Sequence, residues 1–419
     1  MTIQEPCCGA TVAVNRRRFL AGAATLAGAG LLELAGASMA FAAPGAPATD
    51  LLVVVTLRGG ADGLSLVPPL ADHAYTKARP GIGVRKGEAL PLDRFFGLHP
   101  RLAPLLPFWQ AQSLAIVQAV GDQDGSRSHF TATEALDRGV NASSSVSTGW
   151  IDRHLTTRPQ RAHAFPAVAI GGQVPQSLQG PAPDLTFPTV DAVRIRVPKN
   201  HQAAVERALR QMHTGVAGTV SVSGLATMDV LKCLAPTQQR AYAPRPGVDY
   251  PAGELGQALR QVAQLARADV GLEVACVDSG GWDTHTGMGS ASGGPMAEQV
   301  ARFGAALAAF ARDLGPLFRT TTIITASEFG RRVAQNASGG VDHGLGNAML
   351  LLGGGVRGGR VYGRWPGLAD KDLEQGDLRV TTDQRDVFAE VVRRRLGNSR
   401  ATEVFPGHVS RELGLVRQR

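Results

Sequence analysis

The sequence predicts an α/β fold, an α/β/α sandwich around a mostly parallel central sheet. Three observations lead there. Leu51–Leu57 (LLVVVTL), Ser113–Val120 (SLAIVQAV) and the run after Glu273 (EVACVDS) are continuous and apolar rather than alternating. That pattern marks strands buried on both faces. The runs end in polar residues, two of them at a glycine break, which places chemistry at the C-terminal edge of a sheet. Between the strand at 273 and Thr320–Ala326 (TTTIITA) lies a helical pattern over Met296–Phe318, with Val300, Phe303, Leu307, Phe310 and Leu314 on one face. Strand, helix, strand is a crossover, so the two strands should run parallel.

The remaining elements follow in order. Leu102–Trp109 reads as a short helix after His99-Pro100, and Thr131–Leu136 as helical. Phe165–Ile170 is an expected strand and Gln202–Met212 an expected helix. Glu254–Ala268 is amphipathic and should lie against the sheet. Asn347–Leu352 (NAMLLL) is a further strand. Thr382-Asp383 caps a helix over Arg385–Leu396. Residues 51–419 are read as one main domain, with a peripheral insertion at about 141–250 that extends the sheet or caps it.

Composition narrows the function. The 419 residues are 44% hydrophobic and 19% charged, an ordinary globular mixture. The net charge of +8 is dispersed arginine with no basic, aromatic-laced stripe, so no nucleic-acid partner is expected. Asn15-Arg16-Arg17-Arg18-Phe19-Leu20 precedes an Ala/Gly/Leu run and small-residue cleavage sites near Ala40 and Ala42. This reads as a twin-arginine signal peptide over 1–42, followed by a Pro/Ala linker at 43–50. It implies the Tat translocon as a transient partner and a periplasmic or extracellular destination. No span is expected in the mature form. Cys7 and Cys8 fall in the removed segment, and whether Cys233 and Cys276 pair is left open.

The strand-edge polar residues form a candidate metal inventory. Asp62 follows the first strand through Arg58-Gly59-Gly60. Ser128 and His129 stand at a strand-to-helix junction, where a helix N-terminus favours anions. Asp283 and His285 follow Gly280-Gly281-Trp282. Glu328 follows TTTIITA, and Asp342-His343 precedes NAMLLL. Carboxylates and imidazoles converging at one edge suit zinc or another divalent ion, one or two in number. Two ions would bind a phosphate- or sulfate-like group and activate a serine or water. Plainer roles compete: Asp62 in an Asx-turn, Ser128 as an N-cap, and Glu328 paired with Arg331 or Arg332. Arg58 would bind substrate anion or make a salt bridge.

Leu57-Arg58-Gly59-Gly60-Ala61-Asp62-Gly63, Ser128-His129-Phe130, Gly281-Trp282-Asp283-Thr284-His285, Ser327-Glu328-Phe329-Gly330-Arg331 and Asp342-His343-Gly344 together resemble the exported proteins of domain of unknown function family 1501. The resemblance implies an alkaline-phosphatase-like fold. It implies Asp62 as first-strand metal acid, Ser128 as nucleophile with Ser126 or water as competitors, and Asp283, His285 and His343 on one ion. Where that superfamily carries Asp-His, this chain has Glu328-Phe329. The expectation is an exported, metal-dependent hydrolase of small phosphate or sulfate esters. Asp283, His285 and His343 would hold one ion, Asp62 and Glu328 a second, and Ser128 would attack. His129, Asp342 and Arg58 are further metal- or substrate-binding candidates. The alternative is a non-catalytic exported binding or assembly protein on the same fold.

Overall fold

The computed structural model describes residues 50–419 apart from 124, 160–166, 183–184, 215–218 and 240. The expected signal peptide, with Cys7 and Cys8, lies outside the described residues, as does the linker up to residue 49. Nine strands form the main sheet: β1 Leu51–Leu57, β2 Leu114–Gly121, β3 Ala167–Ile170, β4 Leu185–Phe187, β5 Val274–Ser279, β6 Thr321–Ala326, β7 Asn347–Gly353, β8 Arg360–Tyr362 and β9 Thr382–Asp383. Their spatial order is β8-β2-β7-β6-β1-β5-β3-β4, with β9 also on β2. β1 pairs in parallel with both β5 and β6. Only β7 runs against the rest, antiparallel to β6 and β2.

Among the described residues the seven longest helices are α1 His129–Arg138, α2 Trp150–Thr157, α3 Lys199–His213, α4 Thr219–Gln238, α5 Glu254–Arg267, α6 Pro295–Leu314 and α7 Gln384–Arg394. β1 explains why both faces need cover. Val53, Val55 and Leu57 point into one core with α5 and α6. Leu52 and Val54 point into another with Leu136, Trp150 and α7. Each such side chain contributes roughly 1.5–3 kcal/mol by leaving water, which is why these strands tolerate no alternation. The α/β/α sandwich is therefore as expected. Trp150 stacks on Phe388, ring centroids 5.0 Å apart, and locks α2 to α7. Asp383 caps α7 by accepting from Arg385 N at 2.8 Å.

Several boundaries differ. The helix expected over Met296–Phe318 stops at Leu314, and Gly315–Thr320 tightens into a 3-10 turn. Leu102–Trp109 likewise divides into a 3-10 turn, Pro100–Leu105, and a short helix, Leu106–Gln110. Pro104 and Pro107 lack the N–H that a continuous helix needs. β3 and β4 lie in the insertion and lengthen the sheet beyond β5. Cys233 and Cys276 are both free thiols. Among the described residues no helix is long and apolar enough to cross a membrane.

The reversed strand matters most for the site. Parallel neighbours need a crossover that carries the chain back to the opposite edge. β7 is antiparallel to β6, so residues 327–346 never leave the C-terminal edge. That long connection, of the kind that usually carries function, joins the loops following β1, β2 and β5 at one place.

Candidate metal centre

The cluster is built from three loops and the first turn of α1. Gly59 lets two of these loops meet. Its φ is +111°, and a Cβ there would lie 2.7 Å from Asp283 N, so only glycine lets the loop after β1 touch the loop after β5. At Gly60, with φ +67°, a Cβ would lie 2.3 Å from the Phe329 ring.

Three imidazoles face one carboxylate. His285 Nε2 and His343 Nε2 are 2.9 Å apart. Asp283 Oδ1 is 3.1 Å from the first and 3.3 Å from the second. His129 Nε2 is 3.7 Å from Asp283 Oδ2, and His129, Asp283 and His343 by themselves offer ligand atoms within 4.8 Å of one another. The far nitrogen of each ring is engaged. His343 Nδ1 donates to the Arg127 carbonyl at 2.8 Å. His285 Nδ1 donates to Asp342 Oδ1 at 3.0 Å. His129 Nδ1 donates to Glu328 Oε1 at 2.9 Å, an oxygen that also accepts from Gly59 N at 2.7 Å.

These partners assign the protons. A carbonyl or carboxylate oxygen only accepts, so each Nδ1 carries its hydrogen and Nε2 is the atom each ring turns toward Asp283; that of His285 also lies 3.4 Å from Arg331 Nη1. Two Nε2 atoms 2.9 Å apart beside a carboxylate, with the Arg331 guanidinium at their edge, make a donor set on which a proton or a metal ion can sit. A tetrahedral ion with bonds of about 2.0–2.1 Å sets its ligand atoms about 3.3 Å apart. The three distances of 2.9, 3.1 and 3.3 Å fit that spacing. Imidazoles fixed through the outer nitrogen by carboxylate or carbonyl are the usual support of such ligands.

Two carboxylates are biased toward the charged form. At Asp283 burial works the other way, but the Arg331 hydrogen bond and charge, with His285 and His343, outweigh it and hold the pKa below the ordinary range. Asp342 is also held low, first by the His285 hydrogen bond and then by Asn336.

Arg331, missed in the sequence except as a possible partner of Glu328, is the hub. Its side chain is fully buried. Nε donates to Gly60 O at 2.6 Å and Nη1 to Val341 O at 3.0 Å. Nη2 donates to Gly59 O, to Trp282 O at 3.2 Å and to Asp283 Oδ1 at 2.5 Å. One guanidinium thus ties together the loops following β1 and β5 and the entry to β7. Behind the imidazoles sits Phe329, its ring centroid 4.9 Å from that of His129 and 4.6 Å from that of His343. It forms an apolar wall behind the two rings. Trp282 is fully buried against Phe303 and donates to Ser279 Oγ at 3.1 Å.

The expected second-ion half is not assembled. Asp62 is 1% exposed and committed elsewhere: Oδ2 accepts from Arg79 Nη1 and from Ser65 Oγ, both at 2.5 Å, and Oδ1 from Arg79 Nη2 at 2.9 Å. Glu328 supports His129 rather than pairing with Arg331 or Arg332. Asp342 likewise supports His285. Arg58 makes salt bridges, to Asp278 at 3.0 Å and Asp137 at 3.4 Å. Burial pushes the Asp137 carboxyl up to about 6, despite Arg58. Ser128 is the N-cap residue of α1, but its hydroxyl makes no capping bond and the residue is exposed. Its backbone N–H donates to Ser126 Oγ at 3.1 Å. The signal that could have promoted His129 over Ser128 was its place as first helical residue, aimed back at the sheet edge.

Fold and site together define an α/β protein with a histidine-lined cluster at the C-terminal edge of a mostly parallel sheet. A family model described as "Protein of unknown function (DUF1501)" matches residues 142–415, and the chain belongs to that family. No curated protein matches the chain. Among solved structures it is similar to PsFucS1 sulfatase from Pseudoalteromonas sp., at 13% identity over 88% of this chain and 74% of that one, TM-score 0.36. It is also similar to alkaline phosphatase from the Antarctic bacterium TAB5, at 10% identity over 73% and 92%, TM-score 0.28. Likeness at this level carries no functional implication.

Proposed function

We propose that this protein binds one divalent metal ion, zinc being the best fit, through His285, His343 and Asp283 with His129 as a further ligand, and hydrolyses small phosphate or sulfate esters there. The observation that carries the reading is the pair of Nε2 atoms 2.9 Å apart beside Asp283, each ring fixed from behind through Nδ1. A bound ion supplies Lewis acidity and brings the pKa of its water toward neutrality. The protein's own part is positional. His285, His343 and His129 present nitrogen donors, and Arg331 holds Asp283 charged and oriented. Phe329 and Trp282 keep water from the rear. Ser128 offers an unbonded hydroxyl at the start of α1, beside His129, as nucleophile or as a donor to an ester oxygen. Export by the twin-arginine route is part of the proposal and rests on Arg16-Arg17 and the run that follows.

One observation favours the non-catalytic alternative. With Asp62 and Glu328 committed, the two-ion arrangement expected from the sequence lacks its second half. A test that separates the readings measures metal content and turnover together. Protein purified from the periplasm should carry close to one equivalent of metal. His343→Ala should loosen its dissociation constant at least about 100-fold, near 3 kcal/mol. Aryl phosphate or sulfate turnover should vanish with the metal. Metal below about a tenth of an equivalent, with stability unchanged by chelator, would sink the reading. Full metal with no turnover on any ester would leave the binding protein.

A further inference from the structure

The segment 374–381 belongs to no strand of the site and takes no part in the functional reading, yet it touches every loop that carries an imidazole from the β2 or β7 side. Gly346 N donates to Leu378 O at 2.9 Å, just after His343. Val333 N donates to Gly376 O at 3.3 Å, just after Arg331. Thr381 N donates to Ala119 O at 2.9 Å, at the end of β2. From the middle of this segment Asp377, wholly buried, accepts from Arg127 Nε at 2.7 Å and Nη2 at 2.5 Å. Arg332 Nε lies 3.9 Å from its other oxygen. Arg127 in turn stands two residues before His129, and its carbonyl is the acceptor that fixes His343 Nδ1.

We infer that Asp377 is a positioning residue of the metal centre, acting through Arg127 to set both His343, by the Arg127 carbonyl, and His129, by the anchored loop before α1. The inference rests on the metal reading above. The physical case is geometric. A carbonyl orients a ring only if its own peptide is held, and residues 125–128, on either side of Arg127, have no strand or helix of their own to hold it. The fork of Arg127 on one buried carboxylate oxygen ties that loop to the segment beneath it. Loss of such outer support typically costs about 10- to 100-fold in metal affinity.

The test titrates full-length protein with Co2+ and Zn2+ and follows the cobalt visible bands. Asp377→Asn should weaken binding about 10- to 100-fold and alter the band pattern, because two imidazoles shift. Arg127→Met should do the same, while Arg127→Lys, which restores the charge opposite Asp377 without the fork, should recover only part of the lost affinity. Val392→Ala, a core truncation remote from the site, should lower the melting temperature and leave the cobalt spectrum as it was. Should Asp377→Asn fail to fold, the Arg127 pair decides, since that side chain is one-third exposed. Parent protein that takes no metal overturns the functional reading and this inference with it. Parent binding matched by an unchanged Asp377→Asn, or an unchanged Arg127→Met, overturns the inference alone.

Discussion

Two acidic corners of the same sheet edge behave in opposite ways. Around Asp62 both carboxylate oxygens are engaged, by Arg79 and Ser65, and the side chains are sealed from solvent. Around Asp283 the carboxylate is half exposed and one arginine fixes it, while three imidazoles turn their Nε2 atoms toward it. Both corners hold an Asp after a strand and a glycine turn, and both hold a buried guanidinium. The difference is what else is present. Arg79 spends its fork on the carboxylate of Asp62 and makes an internal ion pair. Arg331 spends most of its donors on backbone carbonyls and leaves Asp283 with capacity to spare. A carboxylate at a strand edge is thus a ligand only where the surrounding donors leave it one.

The largest test breaks the closed corner. Removing one member of a buried ion pair strands the other, at a cost of about 3–5 kcal/mol. Asp62→Ala should therefore lower unfolding free energy by that amount in urea, while the metal dissociation constant stays within about threefold. A collapse of metal affinity out of proportion to stability would show that the two corners form one site after all.

How much of this contrast the sequence could show depends on range. The central strands were legible because LLVVVTL and TTTIITA are apolar without interruption, a requirement of burial on both faces. α6 was legible from its spacing. α4 was not: VSVSGLATMDVLKCLAPTQ spreads its apolar residues around the helix and contains Gly224 and Pro236. The direction of β7 was also hidden, since an apolar run looks the same either way. The candidate ligands Asp283, His285 and His343 stood out as polar residues at strand edges. Their supports did not. Arg79 closes a short helix, His73–Ala78, that the sequence reading did not find, Asp377 comes from a loop with no pattern, and nothing local distinguishes Arg331 from Arg332.

A second test sharpens the closed corner through pH. His99 is buried beneath it and accepts from Arg101 N through Nδ1 at 3.1 Å. Burial, with the Arg101 charge and against that of Asp62, pushes its pKa from 6.5 down to about 4. The unfolded chain therefore binds the proton first. Stability from the neutral ring is full above about 6.5 and falls as pH drops toward 4. Between pH 7 and 5 the loss should reach roughly 2 kcal/mol. His99→Asn keeps an acceptor for the Arg101 N–H and removes the titration, so its urea midpoint should change less over that interval. An equal acid dependence in both proteins would refute the assignment.

The smallest effect on stability should come from the open corner. Ser128 occupies the N-cap position of α1 without the capping bond that usually gives such a serine about 1 kcal/mol. Ser128→Ala should accordingly leave stability within about 0.5 kcal/mol, where a working cap would lose more. That insensitivity makes the variant a clean probe of chemistry. If the hydroxyl attacks the ester, turnover falls to the level of the metal-bound water route with metal content unchanged. If water attacks, kcat changes little. A stability loss near 1 kcal/mol would instead return Ser128 to the role of a helix cap and take it out of the site.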